Sequence, residues 1–271
     1  NVPIVAVSYD HKVDHFVSSV NMKIACTIDN IDENIIYDEI IDKINNEDGE
    51  REKLLKSVER LRELTNINYK ILKEMNKLSI MGVRIDNLSM GEVLKIAEEK
   101  IENNEQYVIY TPNTEIIMMC RKDEEFLNLI NDSDVNVPDG IGLIHAGRIK
   151  KHPLKEKVGG YDLSVNLLKL ANEKGLKLYV VGGKPGVAEA AMKNVREEYP
   201  KIKIVGAQHG YFKGTHLGKR GHEEELEVIE DINRHQPHIL FVGFGAKKQE
   251  QWIEYNRDLI NANVIIGKEI E

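Results

Sequence analysis

Cysteine is nearly absent from this 271-residue chain: Cys26 and Cys120 stand far apart, and neither belongs to a CxxC or Cys/His spacing. A zinc site or a disulfide framework is therefore not expected, and the two thiols read as reduced residues of a cytosolic protein. Long apolar runs are missing too. None approaches about 18 residues, the length needed to span a bilayer. No GxSxG elbow and no Cys with a nearby His supports covalent hydrolysis. Positive charge is in deficit, with 37 Lys and Arg against 45 Asp and Glu for a net −8 and no basic block, so nucleic acid is not an expected partner. With 7 Pro, 20 Gly and 41% hydrophobic residues, the composition is that of a folded chain, long enough for one large domain or two smaller ones. The start at Asn1 has neither a Met nor a basic leader, which is expected of a chain cut from something longer.

Two textures are present. Residues 3–8 and 22–27 read as short strands at the edge of an α/β sheet, each followed by a polar helical segment. Leu54, Val58, Leu61, Leu64, Leu72 and Met75 then recur at spacings of three and four, predicting one long helix over 50–77 packed on a domain. From Leu78 onward, short β-branched runs alternate with amphipathic helices. This is the pattern of βαβ units, and it predicts a doubly wound, mostly parallel, Rossmann-like α/β domain over 78–271, preceded by an α/β fragment over 1–77. A strand or hairpin arm is expected near 80–85, and strands near 107–110, 135–137, 176–181, 202–207, 239–242 and 264–266. Ser89-Met90-Gly91-Glu92 is a capping box opening a helix. Residues 212–222 have the composition of a mobile surface loop.

Ligands of such sheets bind at the carboxyl ends of the strands, so the residues after each apolar run are the candidates. Gly182-Gly183-Lys184-Pro185-Gly186 and Gly243-Phe244-Gly245 can bring backbone N–H groups and helix N-termini against a diphosphate, or they simply mark tight turns. GxGxxG is absent from both, and no acid stands where a ribose diol would need one, which weighs against NAD(P). Asp139, between Pro138 and Gly140, is placed either as a general base or as the N-cap of the next helix. Asp132-Ser133-Asp134 has DxD spacing but precedes its strand, on the rim opposite the ligands, and is not read as a metal site. The scattered histidines, His145, His152, His209, His216, His222, His235 and His238, lack ligand spacing and read as surface or core residues.

Seven pieces in order, Met81-Gly82-Val83, Thr111-Pro112-Asn113-Thr114-Glu115, Asn136-Val137-Pro138-Asp139-Gly140, Val158-Gly159-Gly160-Tyr161-Asp162, Val181-Gly182-Gly183, His209-Gly210-Tyr211-Phe212 and Gly243-Phe244-Gly245-Ala246-Lys247-Lys248-Gln249-Glu250, resemble the WecG/TagA/CpsF glycosyltransferase family. The resemblance implies an inverting, metal-independent and cofactor-free transfer of N-acetylmannosamine, or its uronic acid, from UDP. The acceptor it implies is the 4-hydroxyl of N-acetylglucosamine on undecaprenyl diphosphate, for a cell-wall or surface polymer. It implies Asp139 as base, with Thr111 and Gln249 beside it in the catalytic set. Asn113, Gly140, Lys157, Gly160, Gly182, Gly183, Gly243 and Gly245 would bind substrate. Lys157 stands where an arginine is common in the family, and Lys247 where a proline is usual.

Family members continue past the strand at 264–267 with a basic amphipathic tail, so this chain is expected to lack the appendage that reaches the cytoplasmic face of the membrane. The segment Val2-Pro3-Ile4-Val5-Ala6-Val7-Ser8-Tyr9-Asp10-His11-Lys12-Val13-Asp14 and the long helix resemble the C-terminal end of polysaccharide pyruvyl transferases. A Rossmann-type NAD(P) oxidoreductase and a non-catalytic scaffold of a polymer-synthesis complex stand as alternatives, and homo-oligomerisation is left open.

Overall fold

The computed structural model describes residues 5–19, 22–46 and 77–267, with positions 49, 52–53, 55–57 and 59–60 between them. By its contacts the chain falls into two compact units, Asn1–Met75 and Asn76–Glu271. In the first, strands β1 (Ala6–Ser8) and β2 (Ile24–Thr27) pair in parallel across the helix His11–Ser19. The helix Glu33–Asn45 follows, started by Asp32, whose carboxylate accepts the N–H groups of Asn34 and Ile35. The described positions between 49 and 60 are helical, and the rest of the long helix expected over 50–77 lies outside the described residues.

The second unit opens with an antiparallel hairpin, β3 (Lys77–Ile80) and β4 (Val83–Asp86), turned at Met81-Gly82. Its main sheet has six strands, all parallel: β5 (Tyr107–Tyr110), β6 (Val135–Asn136), β7 (Lys177–Gly182), β8 (Lys203–Gln208), β9 (Ile239–Gly243) and β10 (Val264–Gly267), in the spatial order β6-β5-β10-β9-β7-β8. Helices cover both faces, so strand residues are apolar on both sides and alternate between two cores. Val108 and Tyr110, Tyr179 and Val181, and Leu240 and Val242 enter one core, while Tyr107 and Ile109, Leu178 and Val180, and Ile239 and Phe241 enter the other.

The helix starts are chemically specified. Ser89 and Glu92 form the capping box of Met90–Glu102, Asn113 caps Thr114–Cys120, and Asp123 caps Glu124–Asp132. Gly175, left-handed at φ 63°, ends the helix Gly160–Lys174. The chain leaves β7 outward to β8 and leaves β9 in the opposite direction, to β10. The carboxyl ends of β7 and β9 therefore flank a topological switch point, the place where open α/β sheets open a crevice. Among the described residues no helix is long and apolar enough to cross a membrane.

Candidate active site

At the β5–β6 end of the carboxyl rim, three loops are joined through their backbones. The Asp139 N–H donates to the Pro112 carbonyl (3.0 Å), and the Val158 N–H to the Pro138 carbonyl (2.9 Å). Asp139 Oδ2 accepts the N–H of Gly160 at 2.9 Å. The helix that follows Asp139, Ile141–Ile149, starts from Gly140 with no side-chain cap. Asp139 thus does not cap its own helix, and its carboxylate sits at the N-terminus of another, Gly160–Lys174. A Cβ on Gly160 would lie 2.9 Å from Thr111 Oγ1 and 3.6 Å from Asp139 Oδ2, and one on Gly159 would lie 3.3 Å from Asp139 Oδ1. The paired glycines are what let this helix start approach the carboxylate so closely. Lys157 lays its methylene chain against Gly159 and its Nζ 3.7 Å from Asp162. Asn113 uses Oδ1 to cap its helix (2.9 Å to the Ile116 N–H), which leaves Nδ2 as a donor. The half-buried Asp139 therefore has one oxygen fixed by an amide, while among the described residues Oδ1 takes no hydrogen bond. A carboxylate held in this way can accept a proton from a hydroxyl.

At the β7–β9 end the rim is made by backbone. Gly182 has φ 141°, and a Cβ there would fall 2.2 Å from the Gly243 carbonyl oxygen. The Gly183 N–H donates to that carbonyl (3.0 Å), Gly210 N–H to the Gly183 carbonyl (2.9 Å), and His216 Nε2 to the Gly210 carbonyl (2.9 Å). The amide of Gly183, expected to be open to an anion, is committed to β9. His216 stacks on Phe244 with ring centroids 4.1 Å apart, and Phe212 meets both edge-on. His216 and Phe244, with Gly183, Gly210 and Gly243, wall a cavity of about 410 Å³ lined also by Lys184, Tyr211, Leu217 and Lys248. Burial lowers the pKa of His216, so the ring is neutral at physiological pH and its hydrogen bond to Gly210 places the proton on Nε2. Neither nearby helix, Val187–Glu198 nor Lys248–Asn256, has a side-chain cap; the Val187 N–H is taken by the Lys184 carbonyl (3.0 Å) and the Gln249 N–H by the Gly245 carbonyl (3.1 Å), so it is the positive ends of the two helix dipoles that join the two lysines in favouring an anion.

The loop at 212–222 is packed, not loose. Glu225, fully buried, accepts the N–H groups of Thr215 and Gly221 at 2.7 Å each and Nδ2 of Asn256 at 3.2 Å. Between the two ends lies Gln249. It is buried against Gly267 at the tip of β10, where a Cβ would come 3.0 Å from its side chain, and its Nε2 donates to Glu250 while Oε1 has no partner among the described residues. Gly140 (φ 120°) and Gly245 (φ 86°) hold backbone conformations that other residues rarely adopt.

Asp134 of the DxD triplet accepts the Val108 N–H (2.7 Å) and pairs with Arg257 (3.0 Å). Among the described residues no group of three His, Cys, Asp or Glu side chains is placed to hold a metal. Cys120, buried, has its thiol pushed up to about 11 and is unreactive. His216, Leu217 and Lys248 were not foreseen as lining residues. The signal for the first two was the length of their loop, and for Lys248 its position opening a helix directly after a glycine turn.

A sheet with this rim occurs in many enzymes, so comparison with known proteins decides the family. Residues 78–268 match the model of the glycosyl transferase WecG/TagA/CpsF family. The chain belongs to that family. This glycosyltransferase is also similar to the Bacillus subtilis (strain 168) N-acetylglucosaminyldiphosphoundecaprenol N-acetyl-beta-D-mannosaminyltransferase, 32% identical over 160 residues. That alignment covers 59% of each protein. The protein of the same name from Staphylococcus aureus (strain NCTC 8325 / PS 47) is 30% identical over 194 residues, covering 70% of this chain and 72% of the relative. Family membership removes the oxidoreductase and scaffold readings.

Proposed function

We propose that this glycosyltransferase moves N-acetylmannosamine, or its uronic acid, from UDP to the 4-hydroxyl of N-acetylglucosamine on undecaprenyl diphosphate, with inversion and without a metal. The observation that carries the reading is the placement of Asp139, its Oδ2 fixed by the Gly160 amide beside Thr111, on the same rim as a cavity lined by cations. In this mechanism Asp139 Oδ1 takes the proton from the acceptor hydroxyl as it attacks the anomeric carbon. Lys184, Lys248 and the two uncapped helix starts take up the charge growing on the departing diphosphate, the work a metal does elsewhere. Three strand spacings separate β5 from β7, about 14 Å, so a donor reaching both ends lies extended across the tip of β10, where Gln249 meets the sugar. Thr111 and Asn113 line the sugar pocket, and Lys157 serves as the nearby cation.

The names of the two relatives supply the acceptor, and a lipid-linked acceptor supports peripheral association with the inner face of the membrane. The unit ahead of residue 77 is read as the end of a pyruvyl transferase fused to the glycosyltransferase, a reading that rests on the resemblance of residues 2–14. Release of UDP, measured with lipid-linked N-acetylglucosamine and each of the two mannosamine donors, tests the assignment. Turnover with one of them that is unchanged in EDTA is expected. Loss of turnover in EDTA, restored by manganese or magnesium, would overturn the metal-free mechanism.

A further inference from the structure

Strand β6 delivers Asp139, yet it is two residues long and sits at the edge of the sheet, paired with β5 at Val135 and Asn136 and tied beyond them by the Val137 N–H to the Tyr110 carbonyl (3.0 Å). An edge strand leaves N–H groups without a neighbouring strand, and a buried N–H must find an acceptor. Asn136 is fully buried, and its N–H donates to Asp86 Oδ2 at 2.8 Å, across fifty residues of sequence. The same oxygen accepts Arg84 Nε at 3.1 Å. Arg84 reaches on with its other nitrogens to the Asn131 carbonyl (2.7 Å) and the Ser133 carbonyl (2.8 Å). Asn131 closes the circuit, accepting the Arg84 N–H at Oδ1 (2.8 Å) and donating Nδ2 to the Gly82 carbonyl (3.0 Å). The β3–β4 hairpin thus grips residues 131–136 with side chains where a seventh strand would have used its backbone.

We propose that Asp86 is a positioning residue for the transfer: through the Asn136 amide it fixes the short strand from which Pro138-Asp139 projects, and so fixes the reach of the Asp139 carboxylate. Asp86 itself is buried, and the amide it accepts, that of Asn136, lies three residues before Asp139. The inference rests on Asp139 being the base. A displacement of about 1 Å at a catalytic group is enough to cost on the order of a hundredfold in rate, while the donor cavity on β7 and β9 shares no residue with this circuit.

The test compares Asp86→Ala, Asp86→Asn and Arg84→Met with the parent chain in UDP release from the mannosamine donor, and follows the Gly160 amide by NMR through a pH titration. That amide donates to Asp139 Oδ2 and reports its ionisation. Asp86→Ala is expected to lower kcat at least tenfold with the donor KM within twofold, and to shift the Gly160 titration. Asp86→Asn, whose Oδ1 can take both hydrogen bonds, is expected to restore the rate to within threefold. Arg84→Met should move both readouts in the direction of Asp86→Ala, and it carries the test if Asp86→Ala does not fold. If turnover is too slow to measure, the Gly160 titration alone decides.

A parental rate and titration in folded Asp86→Ala would overturn the proposal. So would a loss shared equally between kcat and donor affinity, because that is a general structural defect. Asp139→Asn, run beside them, separates the two readings: full turnover there removes the base assignment, whereas an inactive Asp139→Asn with a fully active Asp86→Ala removes only the role of Asp86.

Discussion

At the β5–β6 end of the cleft the groups placed for chemistry are side chains, carried on loops that backbone hydrogen bonds join, whereas at the β7–β9 end glycine backbone shapes the rim itself. At the first, a carboxylate meets an amide across two glycines, and the groups that do chemistry are replaceable atoms on ordinary conformations. At the second, Gly182, Gly183, Gly186 and Gly245 all sit at positive φ, and strand tips approach to distances that exclude a Cβ. Exchange of a polar atom should therefore stop the reaction at one end without disturbing the fold. At the other end, adding a carbon should spoil binding before chemistry is reached.

The most severe effect is expected at Asp139. Asn keeps the hydrogen bond from Gly160 but accepts no proton at neutral pH, so Asp139→Asn should lower transfer by roughly a hundredfold or more while UDP affinity stays at the parental value. Its Tm should remain within about two degrees of the parent. Rate assays and thermal shift with UDP check both halves, and a near-normal rate would send the search for the base to Asp162, Glu115 and His209.

Gly183→Val sharpens the comparison from the other side. At φ 69° a β-branched residue is strained, and UDP should bind at least tenfold more weakly by calorimetry, about 1.4 kcal/mol. Unchanged affinity in the folded variant would move the diphosphate away from β7. Glu225→Ala leaves two backbone N–H groups and an Asn amide without their acceptor, each worth about 1 to 3 kcal/mol when buried. A Tm several degrees lower and a severalfold rise in donor KM with kcat held within twofold are expected. A change confined to kcat would break the division between the two ends.

The smallest effect concerns pH. Burial lowers the pKa of His216 in the folded chain, so protonation favours the unfolded state. Above about pH 6.5 both states are neutral and the residue contributes nothing to pH dependence. As pH falls below that value the unfolded chain takes up the proton first, and stability drops. Chemical denaturation of the parent and His216→Phe between pH 5 and 8 should show a flatter profile for the variant.

Much of this was legible in the sequence where the signal is local. The box at Ser89 and Glu92, the stop at Gly175 and the helix Glu223–His235 follow from capping chemistry and spacing, and strands flanked by glycine were found to within a residue or two. The helix Glu124–Asp132 escaped notice although Phe126, Leu129 and Ile130 carry its apolar face, because nine residues hold too few turns for a period to stand out. What joins distant segments was not legible. Nothing near Asp86 indicates that its partner is the amide of Asn136, and nothing near Asp139 indicates Gly160. Arg84 and Asp86 do alternate with Val83 and Ile85 in a short strand, which places both charges on one face, but a solvated face would have the same pattern. The loop at 212–222 misled for a related reason, since the backbone N–H groups of Thr215 and Gly221 are satisfied from outside it, by Glu225.

The position of β10 governs when any of this can form. The strand made last among those described is inserted at the middle of the sheet, its residues paired with Tyr107–Ile109 on one side and with β9 on the other. While the chain is being synthesised, the half carrying Asp139 and the half carrying the glycine loops can each collapse, but no strand joins them until residues 264–267 have left the ribosome. Closure then needs contacts separated by more than 150 residues, a high contact order that predicts slow final assembly. The intermediate before it exposes two unpaired sheet edges, those of β5 and β9, and is the species in which aggregation competes with folding.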